Sequence, residues 1–460
     1  MSVLASASER MSATDQLLWI GDRHPDLRST VVSVAIIDGT PSRQDLADRW
    51  ERMARAVERL RQRVCASPVS IAPPRWEPDA DFDINNHLRW APELATPRTM
   101  RDVLDIAAAK ASEPFPTDRP LWEVTAVPAL PDGQFALVQK FHHAITDGIN
   151  AVRMQLELFD FEAHPAPVDA TPVPDDPPPG QAGGVGDAIR WDLRRRMDAL
   201  AMARKGADEL RRHPASSLKG AAETGTSLAR VGQLASAPLS ALMTGREDRR
   251  RFDTLTLPLG RAKQAGRSAG TKLNAVFLAG LSVGLRRYHD HHQTPQAQLR
   301  LGIPISTRTD ETTTNAFVGT RFGFPLVYED LPSHLRTLER LVKTNATERA
   351  LTVLPALSAQ IARLPEPAAT RVFRRLLAGT DVQASNVPGS PLPMFLAGHP
   401  LLHQFAFGPT TTAALNVTLL SYVDALDIAV ASNTGAIPDP EVLLQSLEEG
   451  FGEVLELADR

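Results

Sequence analysis

The sequence of 460 residues is too long for one ordinary domain, because single domains usually take roughly 100–200 residues, so we expect two or three folded units. A formal net charge of −4 argues against a nucleic-acid binder that depends on bulk positive charge. The single cysteine, Cys65, excludes an intrachain disulfide and a zinc site built from several cysteines, and it fits a reducing compartment.

No hydrophobic segment of the sequence is long enough to predict a membrane span. The longest apolar stretch, 275–285, falls well short of the roughly 18 residues that a spanning helix needs. The stretch 1–20 has neither the basic segment nor the long apolar run of a signal peptide. We therefore expect a cytoplasmic protein that is soluble or peripheral.

Strands and helices alternate in the first segment, 1–162. Helices are indicated by apolar residues every three or four positions after an N-capping side chain, and strands by short β-branched runs. The segment gives four predicted elements: a strand over 31–37, a helix over 43–64 capped by Ser42, a helix that Thr99 opens, and a strand over 134–141.

A change of composition follows this segment. Residues 164–186 are rich in proline and glycine, which predicts a linker because proline removes backbone donors and glycine adds freedom. Alanine and arginine dominate 187–242, which predicts one or two bridging helices. We therefore assign 163–250 to a linker with a helical crossover, and 251–460 to a second αβ half.

The second half repeats the alternation of strands and helices. The predicted strands are 252–257, 299–305, 323–327, 415–420 and 425–431, and the predicted helices are 272–288, 335–379 with breaks at Pro355 and Pro365, and 440–457. The histidine-rich stretch 288–292 has polar surroundings and predicts an exposed loop. Two mixed halves joined by a crossover suggest a cleft between them, where substrate sites often lie.

The stretch 141–148, FHHAITDG, joins the strand over 134–141 to a predicted helix over 148–159. Successive strand side chains point to opposite faces, so His142 and His143 diverge and only one can meet a shared substrate. A neutral imidazole can take a proton from a hydroxyl near pH 7. Asp147 is placed to cap the following helix.

The residues alone leave three interpretations of this stretch open: a general base, a structural pair, or a metal site. A metal site would need a third ligand, and no other ligand in the sequence has a suggestive spacing. A covalent mechanism has no support, because the sequence lacks a GxSxG elbow and Cys65 lies outside any recognisable reactive setting. We predict no metal and no cofactor.

Six motifs, in order, resemble those of the bacterial wax ester synthase/diacylglycerol acyltransferase family, a branch of the CoA-dependent acyltransferase superfamily. They are WEPDADFDINNH at 76–87, PLW at 120–122, HHAITDG at 142–148, PISTR at 304–308, SNVPG at 385–389 and LNVTLLSY at 415–422. HHxxxDG alone would be less specific, because chloramphenicol acetyltransferases, condensation domains and carnitine acyltransferases share versions of it.

The resemblance implies an α/β (α+β) fold of two chloramphenicol-acetyltransferase-like αβ sandwich domains around a central channel. It implies an O-acyltransferase that moves a long-chain acyl group from acyl-CoA to the hydroxyl of a diacylglycerol or fatty alcohol. His143 would be the general base, with His142 and Asp147 beside it. Such lipid substrates imply peripheral contact with the inner membrane or lipid droplets, for which the amphipathic stretch 361–377 is a candidate and core packing is its alternative.

The matching segments also supply candidate residues for binding or structural support. Asn274, Ser306 and Thr307 are polar candidates for stabilising an oxyanion. The remaining candidates are Gly148, whose missing side chain would let the backbone approach the channel, and Pro120, Leu121 and Trp122, which would pack under the next strand or line the acyl channel.

Two alternative functions stay open, the second of them because the chain departs from the family at Asn274-Ala275, where Asn-Asp is common. The first is a condensation-type enzyme that takes its acyl group from a carrier protein. The second is a catalytically weak, lipid-binding paralogue. Neither the acceptor, nor the acyl chain length, nor the oligomeric state follows from the sequence.

Overall fold

The computed structural model describes residues 10–66, 72–92, 96–146, 148–164, 238–306, 317–346 and 354–460, with scattered positions between 186 and 212. Numbered in chain order, the helices of these ranges are α1 Ala13–Gly21, α2 Arg43–Ala56, α3 Met100–Ser112, α4 Gly148–Leu158, α5 Leu259–Ser268, α6 Leu273–His291, α7 Leu331–Ala346, α8 Leu354–Ile361, α9 Glu366–Leu377 and α10 Pro440–Leu455.

The strands of the same ranges are β1 Thr30–Ile37, β2 Gln62–Cys65, β3 Arg75–Pro78, β4 Leu88–Trp90, β5 Trp122–Val127, β6 Phe135–His142, β7 Arg250–Pro258, β8 Gln298–Ser306, β9 Phe317–Pro325, β10 Val382–Pro388, β11 Phe395–Leu396, β12 His399–Phe407, β13 Leu415–Tyr422 and β14 Ala425–Asn433. They form two six-stranded sheets and the small pair β2–β3. The predicted fold of two sheet-containing αβ halves is therefore confirmed.

The first sheet has the strand order β11-β12-β1-β6-β5-β4. The strand β1 lies between two antiparallel neighbours, and its Val34 is opposite Val138 of β6 and Phe405 of β12. Two of the six strands, β11 and β12, thus come from the second half of the sequence. The sequence analysis missed both.

The second sheet has the order β7-β14-β13-β10-β8-β9 and mixes parallel with antiparallel pairing. The strand β10 runs parallel to both β13 and β8, while the outer pairs are antiparallel. Its buried helix α6 packs along α10, and this pair covers one face of the sheet.

The contact between α6 and α10 depends on glycines. A methyl group placed on Gly450 would lie 2.4 Å from the backbone nitrogen of Gly284, and one on Gly280 would lie 2.0 Å from the Phe451 ring. Real side chains do not approach so closely, so the two helix backbones touch where only glycine fits.

Local capping explains two helices that the sequence predicted. Ser42 accepts a hydrogen bond from the Asp45 amide at 3.1 Å, and the Asp45 carboxylate accepts one from the Ser42 amide in return. Thr99 and Asp102 form the same reciprocal arrangement at the start of α3. Such capping boxes satisfy backbone donors that a helix leaves unpaired.

The predicted end of the second helix was wrong. The helix α2 stops at Ala56, and residues 62–65 form β2 and pair with β3. The amphipathic pattern continued past the true end, but pairing with a distant segment decided the structure of the last residues.

The histidine-rich stretch was also mispredicted. His289 belongs to α6 and is fully buried, with Nδ1 at 2.8 Å from Leu285 O and Nε2 at 2.9 Å from Ser240 Oγ. The crossover segment that carries Ser240 covers the histidine, and it lies too far along the chain for local polarity to indicate it.

Three smaller differences concern the second half. The strand predicted at 323–327 begins earlier, as β9, and the helical region predicted to start at 335 begins at 331. Pro355 lies inside the first turn of α8, where proline is tolerated, and so does not break it. The boundaries at 162 and 251 stay predictions. Most of the predicted linker and crossover falls outside the described residues.

Several contacts join the two sheets. Phe252 of β7 stacks on Phe407 of β12 with ring centroids 4.0 Å apart. Arg101 of α3 pairs with the buried Asp253 of β7 at 2.8 Å. The side chain of buried Asp427 accepts from the Gln404 amide at 2.9 Å, so β12 is tied to both halves. Within the described ranges, no helix is long and apolar enough to cross a membrane.

Candidate active site

The two histidines of the HHAITDG stretch lie where β6 ends. The His142 amide donates to Leu121 O at 3.0 Å, and the His143 amide donates to Ser29 O at 3.1 Å. His142 is the last residue of β6 and pairs with Thr30 of β1, while His143 is half-buried in the turn that follows. Neighbouring chain segments on both sides therefore fix the backbone of the pair.

The ring of His142 has a defined tautomer. The Ala144 amide donates to His142 Nδ1 at 3.0 Å, which makes Nδ1 an acceptor and places the proton on Nε2. Nε2 lies 3.5 Å from Ser29 Oγ and 3.8 Å from Asp22 Oδ1. Burial, followed by repulsion from His143 and Lys140, lowers the pKa of His142 to about 3. His142 is therefore neutral at physiological pH and acts as a fixed support of the turn.

Two buried ionisable groups lie close to His142. Lys140 Nζ donates to Glu113 O at 2.9 Å and lies 4.2 Å above the Phe115 ring. Burial lowers the pKa of Lys140 to about 8, although Glu123 and Glu113 act in the opposite direction. Burial also raises the pKa of Asp22, against the attraction of Arg28 and Lys140. The histidine pair thus sits on a polar cluster inside the first half.

This cluster makes the stability of the fold sensitive to acid. The folded-state pKa of His142 is below its value in an unfolded chain, so the unfolded state binds more protons as pH falls from about 6.5 towards 3. We expect the free energy of unfolding of His142→Gln to fall less between pH 6 and pH 4 than that of the wild type. Urea unfolding at several pH values measures this.

The exposed residue His291 provides the matched control. His291→Gln should keep the wild-type dependence on pH, because its ring is not buried. An identical pH dependence in wild type and His142→Gln would contradict the neutral, buried state of His142.

The PLW stretch 120–122 supports the backbone of the histidine pair. Leu121 supplies the carbonyl that holds the His142 amide. The indole of Trp122 donates to Leu60 O at 2.8 Å and stacks on His87 at 4.2 Å and on Trp50 at 5.2 Å between ring centroids. These contacts give the stretch a packing role, and its role in a channel stays a prediction.

In the second half, Asn274 lies in the first turn of α6. Its Oδ1 accepts a hydrogen bond from Asn386 Nδ2 at 3.2 Å, so residues of two motifs, NA at 274–275 and SNVPG, meet. The N-cap position, Lys272, makes no side-chain capping bond, and the Ala275 amide of the first turn donates to Lys272 O at 2.9 Å.

The segment that carries the histidines packs near β10 and β13, the strands of the second half that carry Asn386 and Leu420. Leu420, at the end of β13, packs in the same hydrophobic cluster as Ala144 and Ile145 of the turn. Asn386 pairs with Leu419 in the β10–β13 ladder, one residue away. The structure thus brings the HHAITDG, SNVPG and LNVTLLSY motifs to one place.

The structure describes less of the other predicted site residues. Asp147 and Thr307 lie outside the described residues, and for Ser306 and Gly148 the structure gives only their positions, at the end of β8 and the start of α4. Sequence reasoning missed Asp22 and Ser29, which contact the ring of His142. Their signal was weak, since both are ordinary polar residues of a loop before a buried strand.

In the part of the chain that the structure describes, no group of three or more histidine, cysteine, aspartate or glutamate side chains is arranged to hold a metal ion. The two ring nitrogens of His142 are already occupied or faced by protein atoms. Among the described residues the pair therefore has no third metal ligand beside it, and acid–base chemistry through His143 stays a prediction.

Comparison with known proteins identifies related sequences and folds. The family model for the wax ester synthase/diacylglycerol acyltransferase catalytic domain matches residues 10–277, and the model for the corresponding C-terminal domain matches 314–454. A putative diacylglycerol O-acyltransferase of Mycobacterium tuberculosis is 30% identical over 468 residues, which cover 98% of this chain and 92% of that relative.

Two solved structures share the architecture. The wax ester synthase/diacylglycerol acyltransferase from Marinobacter aquaeolei VT8 has a TM-score of 0.64 and 21% identity, covering 98% of this chain and 100% of that chain. The starter condensation domain of rhizomide synthetase in complex with C8-CoA has a TM-score of 0.57 and 14% identity, covering 99% and 95%. At these identities the likeness shows the fold.

Proposed function

Because the chain belongs to the wax ester synthase/diacylglycerol acyltransferase family, it is an acyltransferase, and we propose how its residues carry out the transfer. The acyl group is long-chain and comes from acyl-CoA. The acceptor is the hydroxyl of a diacylglycerol or fatty alcohol, and the product is triacylglycerol or a wax ester.

His143 is the proposed general base. It removes the proton of the acceptor hydroxyl while the oxygen attacks the thioester carbonyl, because an alcohol is a weak nucleophile until that proton leaves. The tetrahedral intermediate then expels the CoA thiolate, which takes the proton back from His143. One C–O bond forms, one C–S bond breaks, and no acyl-enzyme is needed.

One observation carries this assignment of roles. The ring of His142 is buried and held as a neutral imidazole at Nδ1 by the Ala144 amide, so the first histidine is occupied as a support. The second histidine is half-buried in the turn beside the second half, which leaves it as the candidate for substrate contact.

Asn274 is the proposed source of an oxyanion donor. Its Oδ1 accepts the hydrogen bond from Asn386, so the Nδ2 of Asn274 is the side-chain group that can donate to a substrate oxygen. The first turn of α6 adds the positive end of the helix dipole. Donors fixed before the reaction stabilise the charge that develops on the thioester oxygen.

The missing acid at position 275 fits a helix-capping role better than a substrate role. Ala275 is the third residue of α6, where a carboxylate would reach back to the N-cap amide, and it is only 2% exposed. Its replacement by alanine therefore removes a cap and leaves the proposed chemistry in place. This favours an active enzyme over a lipid-binding paralogue.

Peripheral contact with a lipid surface is also proposed, through a small area near α9. The buried side of α9 packs on α1, where Ala369 and Leu17 share a hydrophobic cluster. Arg374 pairs with Asp26, in the turn after α1, at 2.6 Å. Leu364 and Val372 remain exposed, at 39% and 37%. Core packing thus accounts for most of the amphipathic pattern, and the exposed leucine and valine provide the contact.

The test is CoA release by the purified enzyme from palmitoyl-CoA, with dioleoylglycerol or hexadecanol as acceptor. We expect thiol release that requires an acceptor, together with the matching ester by mass spectrometry. A folded enzyme that binds these lipids but releases no CoA with either acceptor would refute the proposal. Faster transfer from a palmitoyl carrier protein than from palmitoyl-CoA would instead select the condensation-type alternative.

A further inference from the structure

A small, partly open pocket lies between the two sheets, close to the start of β1. Its lining includes two arginines and two threonines: Arg28, Arg250, Thr30 and Thr410. The C-terminal end of α3 and the start of β7 complete the wall. We call it the arginine pocket.

In the part of the chain that the structure describes, no carboxylate forms an ion pair with either arginine of the pocket. Arg28 donates to Ser112 O, and Arg250 donates to Glu247 O at 2.8 Å and to Pro25 O at 3.3 Å. Carbonyl groups hold a guanidinium in place but do not cancel its charge. Asp26, whose field also reaches Arg250, is already paired with Arg374.

The two arginines repel each other. Burial, followed by repulsion from Arg28, lowers the pKa of Arg250 to about 10, and Asp248 acts in the opposite direction. Asp248 also lines the pocket but is exposed. Two cations that repel each other are costly to bury unless an anion comes between them.

The pocket also contains buried polar atoms without partners. Thr30 Oγ1, Thr410 Oγ1 and Arg28 Nε have no hydrogen-bond partner among the described residues. Thr30 is 4% exposed and Thr410 is 2% exposed, so bulk water does not supply the missing hydrogen-bond partners. Buried donors are nearly always satisfied in folded proteins, and unsatisfied ones indicate a missing ligand or water.

The arginine pocket is next to the candidate active site. Thr30 is directly opposite His142 in the β1–β6 pairing, and the preceding residue, Ser29, accepts the amide of His143. Because Thr30 and His142 are directly opposite, their side chains share one face, and the pocket lies on the His142 side of β6. A ligand held there by its anionic part would have to pass the end of β6 to reach His143. In acyl-CoA the pantetheine arm separates the phosphates from the thioester and would make this passage.

We propose that the arginine pocket binds a phosphate group of the nucleotide part of the acyl donor. Phosphate offers several acceptor oxygens and a charge of about two, which match two guanidinium groups and two hydroxyl donors. This inference rests on the proposed function, because it takes the donor to be acyl-CoA. It assigns the pocket to binding of the donor and gives it no part in the proton transfer.

The first test is calorimetric binding of CoA, dephospho-CoA and inorganic phosphate to wild type and variants. Hydrogen bonds to charged groups are worth enough that Arg250→Gln should weaken CoA binding at least about tenfold, and Thr410→Val should weaken it by a smaller factor. The neighbouring Arg249→Gln is the matched control, since Arg249 is 83% exposed and outside the lining. Unchanged CoA binding in both pocket variants would overturn the proposal.

Competition separates the donor's phosphate from free phosphate. Inorganic phosphate that displaces CoA from wild type but not from Arg250→Gln supports the shared site. Phosphate that binds at Arg250 without affecting CoA assigns the pocket to free phosphate and overturns the donor assignment. Thr410→Val keeps the test valid if Arg250→Gln does not fold, because the valine has nearly the same shape.

The second test compares two donors, palmitoyl-CoA and a palmitoyl N-acetylcysteamine thioester that has no phosphate. Arg250→Gln should raise KM for palmitoyl-CoA about tenfold with little change in kcat, and should leave KM for the short donor unchanged. Equal effects on both donors would point to a structural role and contradict the proposal. If wild type turns over neither donor, the proposed function fails, and the binding measurements still decide what the pocket holds.

Discussion

Replacing His143 with alanine should lower kcat for acyl transfer at least about a hundredfold, because a positioned general base contributes roughly a hundredfold to ten-thousandfold. The change should leave the fold intact, because His143 is only half-buried. The hydrogen bond from its backbone amide to Ser29 O does not depend on the side chain. CoA release at saturating palmitoyl-CoA and acceptor measures the loss, and circular dichroism confirms the fold.

A matched control for this variant is His291→Ala, which removes an exposed histidine at the end of α6. It should retain wild-type turnover. Turnover of His143→Ala that equals wild type would remove His143 from the mechanism, and the search for a base would then move to other groups near the asparagine pair.

Gly450→Ala should destabilise the protein by about 1–3 kcal/mol, the usual cost of overpacking a well-packed contact. The new methyl group would lie 2.4 Å from Gly284 N and 2.7 Å from Gly284 Cα, so α6 and α10 would have to separate. Both atoms belong to backbone, which cannot rotate away as a side chain can. The free energy of unfolding in urea measures the effect.

The same helix supplies a control of opposite sign. Gly452 is exposed and has nothing within 4 Å of an added methyl group. Gly452→Ala should therefore stabilise the protein by up to about 1 kcal/mol, the difference between glycine and alanine in a helix interior. Two variants that are equally stabilised would show that α6 and α10 are not in close backbone contact.

Elements that depend on local chemistry were predictable from the sequence. Ser42 and Thr99 predict the starts of their helices, because the partners of a capping box are only three residues apart. The strand β6 follows from its apolar run, and the opposite faces of its side chains separate two hydrophobic clusters in the structure. In each case the information lies within one helix turn or one strand.

Features that depend on distant contacts were not predictable. Nothing near His289 indicates that Ser240 will cover it, and nothing in residues 62–65 indicates that β3 will pair with them. The strand β12 has an apolar pattern, but its place beside β1 is set by the whole topology. Local sequence carries no information about which partner a strand will find.

The candidate site divides in the same way. The alternation of side chains separates His142 from His143, and the family resemblance names the second as base. The neutral tautomer of His142 could not be foreseen, because it depends on the Ala144 amide and on Ser29 and Asp22 from a different segment. The pairing of Asn274 with Asn386 likewise joins motifs more than a hundred residues apart.

The position of β12 has a consequence for folding during synthesis on the ribosome. The strand β1 needs β12 on one side, and β12 is among the last strands to be synthesised. Until then β1 presents an unpaired edge, the kind of surface on which nascent chains aggregate. The nascent chain therefore cannot complete its N-terminal half first, and a premature stop before residue 399 would leave both halves without a stable product.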